Sequence, residues 1–147
     1  MLRISKLTDY ATGLMTQLTL APGRLVSAQR LAAEMTLPLP TVASLLKRLT
    51  RAELVRSVRG AGGGYTLTRG SQDISMAEVI AAIEGPVALT ECALGEGRCS
   101  LELGCPTRSN WRLISYAVRV ALESVSLADM AKPNAQAMRV ETLRWPE

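Results

Sequence analysis

Histidine is absent from the 147 residues, and so is phenylalanine; two Trp and three Tyr bring the aromatics to 3%. Without histidine the chain lacks the side chain that most often moves protons near neutral pH, and no nucleophile stands beside a base, so an enzyme is the weakest class of reading. Sparse aromatics also argue against stacking on single-stranded bases. No apolar run reaches the roughly eighteen residues needed to span a bilayer. The opening MLRISKLTDYATG arrives at Asp9 before any apolar stretch that a secretory signal would need. A cytoplasmic protein without a membrane partner is expected. Thiols stay reduced in that compartment, and three cysteines cannot all pair, which disfavours a disulfide framework.

The net charge of +4 conceals a division. Residues 1–70 carry ten Lys/Arg against three Asp/Glu, and residues 71–147 carry seven against ten. The first half therefore suits a polyanion and the second half some other task. With stacking disfavoured, that polyanion is expected to be duplex DNA.

Leu7, Tyr10, Ala11, Leu14, Met15 and Leu18 recur at helical spacing and predict a first helix, ended by Pro22-Gly23. Ser27 is placed to cap a short second helix, AQRLAAEM, with Leu31, Ala32 and Met35 inward. TLPLP breaks the chain. From Thr41, TVASLLKRLTRAEL turns Val42, Leu45, Leu46 and Leu49 inward and Ser44, Lys47, Arg48 and Arg51 to the other side. Two short helices with a tight break are the plan of a helix-turn-helix, whose second helix lies in the major groove. VRSVRGAGGGYTLTR follows, two β-branched segments around a glycine tip, and reads as a hairpin wing.

Ser75 and Glu78 form a capping box opening MAEVIAAIEG, which Gly85-Pro86 closes. Gly95, Gly97, Gly104 and Pro106 leave the next stretch as a loop. A last helix runs from near Ser109 to about Ser124. Trp111, Ile114, Val118, Ala121 and Val125 form a heptad-like seam along it that calls for a partner helix. There is no internal repeat, and from Lys132 onward the sequence loses periodicity, as in a loosely ordered tail.

Lys47, Arg48, Arg51, Arg56 and Arg59 could be an ordinary solvated face. Their concentration on one helix and its wing, opposed only by Glu53, favours contact with phosphates. Thr41 and Ser44, near the start of that helix, are within reach of base edges, although small hydroxyls specify weakly. RGAGGGY lacks the spacing of a nucleotide-binding loop and reads as a tight turn. A tip without side chains can lie close to DNA while Arg59 enters the minor groove.

All the cysteines, Cys92, Cys99 and Cys105, fall in TECALGEGRCSLELGCPTRSNW with the spacing C-x6-C-x5-C. Glu91, Glu96, Arg98 and Glu102 flank them, so simple burial is a poor account. Structural zinc favours closer pairs, and the wide gaps favour an iron-sulfur cluster, with zinc as the alternative.

Together these residues resemble the Rrf2 family of iron-sulfur winged-helix transcription regulators, which includes cluster-assembly regulators of the IscR and SufR types and the nitric-oxide sensor NsrR. The resemblance runs from Met1 to about Met130. It is carried by RISKLTDYA, LLKRLTRAELVRSVRGAGGGY, ISMAEVIAAIEG and the cysteines ending in CPTRSNW. SNWRLISYAVRVALESVSLADM is most similar to the subgroup regulating SUF cluster assembly.

The resemblance implies a homodimer, paired through the long helix, that carries one [2Fe-2S] or [4Fe-4S] cluster per subunit and binds a near-palindromic duplex operator. In the family's assembly regulators the fourth ligand is a histidine three residues after the last cysteine. Here that position is Arg108, which stays protonated and cannot ligate iron. The nitric-oxide branch takes an aspartate from the partner's first helix, and Asp9 in KLTD stands at the matching position. Glu91, Glu96, Glu102, Thr107 and an external thiol are the other candidates, and an acid favoured by the helix dipole is the plain account of Asp9.

The expected architecture is mainly α with a small β-hairpin wing. Residues 1–74 form the winged helix-turn-helix, 75–108 the connecting helix and cysteine loop, 109–130 a dimerisation helix and 131–147 a tail. The expected function is a cluster-sensing transcription regulator, acting as a repressor of cluster-assembly genes. The alternatives are a nitric-oxide or redox sensor of the same family, or a metal-binding protein with no role at DNA.

Overall fold

Ser5 opens helix α1 (Lys6–Thr19) by accepting the Thr8 N–H at 3.2 Å, which satisfies one of the donors a helix start leaves free. The fold is that of a computed structural model, which describes residues 3–132. The buried face of α1 is Thr8, Ala11, Leu14, Met15 and Leu18. This is rotated slightly from the expected stripe, since Leu7 is 40% exposed and Tyr10 only half-buried. Thr8 can lie inside because its hydroxyl donates to the Glu84 carboxylate.

Helix α2 (Ala28–Met35) is capped by Ser27, and Thr36 ends it in the left-handed region at φ 53°. Helix α3 (Leu39–Arg51) begins two residues before the expected Thr41. The physical reason is Pro40, which sits in the first turn, where its missing N–H has no intrahelical partner to lose. Its buried residues are Val42, Leu45, Leu46 and Leu49, as the spacing predicts.

Strands β1 (Val55–Val58) and β2 (Gly64–Leu67) pair antiparallel, with Val55 opposite Leu67 and Val58 opposite Gly64. Tyr65 also bridges Val26, with N···O distances of 2.9 and 2.8 Å, so the wing is fastened to the segment before α2. A Cβ on Gly64 would lie 2.7 Å from the Val26 backbone, which explains glycine at this close approach.

After a 3-10 turn (Ser71–Asp73), α4 (Met76–Glu84) carries the complete Ser75/Glu78 capping box. One turn of helix, α5 (Glu91–Leu94), forms within the stretch expected to be all loop. The four residues Glu91–Leu94 are free of glycine and proline, and that is room enough for one turn. Helix α6 (Arg108–Glu123) is followed by α7 (Leu127–Met130), which has its own capping box, Ser126/Asp129.

The α6–α7 link folds back onto the start of α4: Met76 N–H donates to Val125 at 2.9 Å and Leu127 N–H to Ile74 at 2.8 Å. Val125 and Leu127 thereby join Ile74, Met76, Val79 and the apolar faces of α1, α2 and α3 in one core. The tail, beyond Lys132, lies outside the described residues. Among the described residues no helix is long and apolar enough to cross a membrane.

Candidate nucleic-acid interface and cysteine loop

The amphipathic pattern that buries Val42, Leu45, Leu46 and Leu49 leaves the opposite side of α3 facing solvent. Ser44, Lys47 and Arg51 are exposed there, and Thr41 is half-buried. Arg48 is also exposed, but its guanidinium donates to the Ile83 carbonyl at 3.3 Å and so ties α3 to the end of α4. Arg56 projects from β1. Arg59 stands exposed at the wing tip, next to Gly60 at φ 104° and close to Gly62 at φ 78°, values that favour glycine. The tip closes through Gly63 N–H to Gly60 O at 2.9 Å. Lys47, Arg51, Arg56 and Arg59 have no carboxylate partner among the described residues, so their charge is available to phosphates.

The cysteines stand in three different settings. Cys92 is buried in α5 with its Sγ 3.2 Å from the Thr90 hydroxyl, and Cys99 and Cys105 are half-buried. Cys99 lines a cavity of about 450 Å³ with Glu96, Ser100, Glu102, Leu103 and Arg108. The Thr107 hydroxyl and backbone N–H hold the Cys105 thiol below its ordinary range, with a smaller contribution from Arg108. All three thiols are free. Among the described residues no three Cys, Asp or Glu side chains converge on a point where they could hold a metal ion.

Arg108, at the position where the resemblance expects histidine, lies against Glu102, and the two side chains are only 26% and 9% exposed. The other Glu102 oxygen accepts the Gly97 N–H. Glu102 and Arg108 thus clamp the loop across Cys99 and Cys105. Glu102 Oε1 and Arg108 Nε make no aligned hydrogen bond, so the pair is an ion contact without full satisfaction. Among the other candidate ligands, Glu91, Glu96 and Thr107 are exposed.

Asp9 lies exposed in the first turn of α1, its N–H donating to Ser5 O at 3.1 Å. Beside it, Glu84 at the end of α4 accepts the Ser5 N–H at 3.0 Å and the Thr8 hydroxyl. The Thr8 bond, followed by those from Ser5, holds the Glu84 carboxyl below its usual range. The sequence reading missed Glu84, and no local pattern marks a bond between residues 76 positions apart.

Helix α6 buries only Ser115, whose hydroxyl accepts the Leu89 N–H at 3.1 Å. Trp111 and Ile114 are each 42% exposed, and Val118 and Ala121 are half-buried. Val125 departs from the expected seam. It lies past the helix end and is 8% exposed inside the chain's own core, because the chain turns there to dock α7. The seam therefore stops at Ala121. Leu113 and Tyr116, at 42% and 49%, widen the apolar surface beside it.

The family described as Rrf2, Iron-dependent Transcriptional regulator, matches residues 4–133. A Mycobacterium tuberculosis protein described as an HTH-type transcriptional regulator is 37% identical over 135 residues, covering 88% of this chain and 81% of the relative. The regulator IscR of Sodalis glossinidius is 33% identical over 130 residues, covering 88% and 78%. Among solved structures, CymR, the global cysteine regulator of B. subtilis, superposes with a TM-score of 0.70 at 31% identity, covering 89% of this chain and 97% of that one. IscR of T. potens gives 0.68 at 31%, covering 94% and 93%.

Proposed function

The chain belongs to the Rrf2 family of transcriptional regulators, and on that premise we propose that it is an iron-sulfur cluster-sensing repressor of cluster-assembly genes, acting as a homodimer on a duplex operator. It is a DNA-binding winged-helix regulator and not an enzyme. The cluster, the target genes and the sign of regulation are our reading.

The observation that carries the reading is the junction at the end of α4. Ile83 accepts from Arg48 of α3, Glu84 holds the start of α1, and Gly85-Pro86 then leads directly into the cysteine stretch. A change in that loop acts on a helix bonded to both others. A cluster would thereby bias the setting of the DNA-reading helices, and differential DNA affinity of the two states is what a switch requires.

The donor set fits such a cluster in kind. Three free thiols are present, and Cys105 is biased toward the thiolate that ligates iron. Cys92, Cys99 and Cys105 would hold the cluster, with Asp9 of a second copy as the proposed fourth ligand. A carboxylate is a harder ligand than thiolate, so an iron held by Asp9 would be the one most open to attack. When bound, the cluster supplies iron that can be oxidised or lost in response to a signal. Arg108 keeps its charge and clamps Glu102, and so takes no part as a ligand.

The test is anaerobic purification with iron, zinc and acid-labile sulfide analysis and a visible spectrum, on wild type and Asp9→Ala together. Equal iron and sulfide, with a spectrum altered by the substitution, supports both the cluster and its carboxylate ligand. An unaltered spectrum returns Asp9 to the helix dipole, and zinc without sulfide makes the loop a structural clasp. Equal operator affinity of cluster-loaded and metal-free protein would sink the sensor.

A second reading, a thiol-based redox regulator of the same family, is favoured by the separate settings of the three thiols and by the likeness to a cysteine regulator. Metal-free protein whose DNA affinity changes on peroxide treatment, and returns with dithiothreitol, would select it.

A further inference from the structure

The outward face of α3 changes character along its length. Its last half carries Lys47, Arg48 and Arg51, but its first turns present Leu39, Pro40 and Ala43, all exposed, with Leu39 at 41%. In a helix-turn-helix the N-terminal residues of the second helix are the ones that meet base edges. Here they are hydrocarbon.

Within α3 itself little compensates at this end. Between Leu39 and Arg51 there is no Asn, Gln, Asp or Glu, so the side chains that pair with adenine or donate-accept at cytosine are missing from the helix. Pro38, the N-cap, makes no side-chain capping bond, and neither Pro38 nor Pro40 has an N–H, so the helix start offers few backbone donors. Ser44 and the half-buried Thr41 supply only single hydroxyls.

An isolated exposed leucine means little. Three contiguous apolar side chains at the reading end of the helix in a DNA-binding regulator mean more, because the major groove of unmodified DNA contains one apolar group, the thymine C5-methyl. We infer that Leu39, Pro40 and Ala43 read thymine methyl groups, so that the half-site contacted by the start of α3 is selected by van der Waals fit to T·A pairs. The inference rests on the DNA-binding reading and on the placement of α3 in the major groove. Lys47 and Arg51 fix the helix on the phosphates, and Ser44 accepts or donates wherever the register brings it.

The test uses the full chain. Duplexes of about 30 base pairs with a randomised centre are selected for binding, and the enriched sequence is remade with deoxyuridine at each thymine in turn. This removes a methyl and leaves every hydrogen-bonding group in place. At one to three positions per half-site, affinity should fall about fourfold per methyl, with the salt slope unchanged because the phosphate contacts persist. In Leu39→Ala or Ala43→Gly, both at exposed positions, the thymine and uracil duplexes should bind alike at the position each residue reads. If wild type binds thymine and uracil duplexes equally while retaining a steep salt slope, the methyl reading is overturned and DNA binding stands. If no sequence is enriched and binding lacks salt dependence, DNA binding fails and the inference falls with it. Should a variant lose helical circular dichroism, the uracil series on wild type decides alone.

Discussion

Single residues carry two distinct kinds of information here, and Arg59 and Glu84 illustrate them. Arg59 is exposed on a glycine tip that only backbone shape explains, so its side chain is free for DNA. Arg59→Ala should weaken DNA binding and lower the salt slope by about 1, read by fluorescence anisotropy at several salt concentrations. If the protein carries the proposed cluster, its visible spectrum should stay as in wild type. Glu84 is exposed, yet its carboxylate accepts from Ser5 and Thr8 and so joins α4 to α1. Its folded value lies below the ordinary 4.5, so its tie stabilises the protein above that pH and is lost as pH falls through the lowered value. The acid limb of the Tm-against-pH curve should flatten in Glu84→Gln. Parallel acid limbs in the two proteins would mean that the tie contributes nothing.

At the scale of elements, α6 is the one whose sequence and surroundings disagree within a single chain. Sixteen residues bury one serine and leave Trp111, Leu113, Ile114 and Tyr116 outside. A helix with that surface is stable in water when another surface covers it, and a second copy of α6 is the occupant we propose. Trp111→Glu should give a monomer by sedimentation while helical circular dichroism is retained, since the position is 42% exposed in the monomer. Operator affinity should fall with it, because each monomer then meets one half-site alone. An unchanged dimer would place the interface elsewhere. Helix α3 shows the converse, an element whose buried face matched its sequence period throughout while its start moved to Leu39 because proline is at home in a first turn.

At the scale of the whole molecule, the winged helix and the helix that follows it share one core. Leu127, fully buried, comes from beyond α6 yet belongs to the same core as the apolar faces of α1, α3 and α4. Leu127→Ala should cost about 2–5 kcal/mol and shift one cooperative transition, monitored by urea unfolding with fluorescence and circular dichroism together. Separate transitions for the two probes would show that the return of α7 is not part of the core unit. Much of this architecture was legible beforehand because it is local: helical period in α1 and α3, the serine caps, the capping box of α4, the glycine tip of the wing and the spacing of the cysteines all act over a few residues. Those signals determined the winged helix and the class of function. Tertiary structure alone decided that Arg48 spends its guanidinium on Ile83, 35 residues away, that Glu84 reaches Thr8, and that Val125 turns into the core and leaves the seam. Such contacts depend on how finished elements close over long loops, and no residue's neighbours in sequence specify which distant partner packing will bring to it.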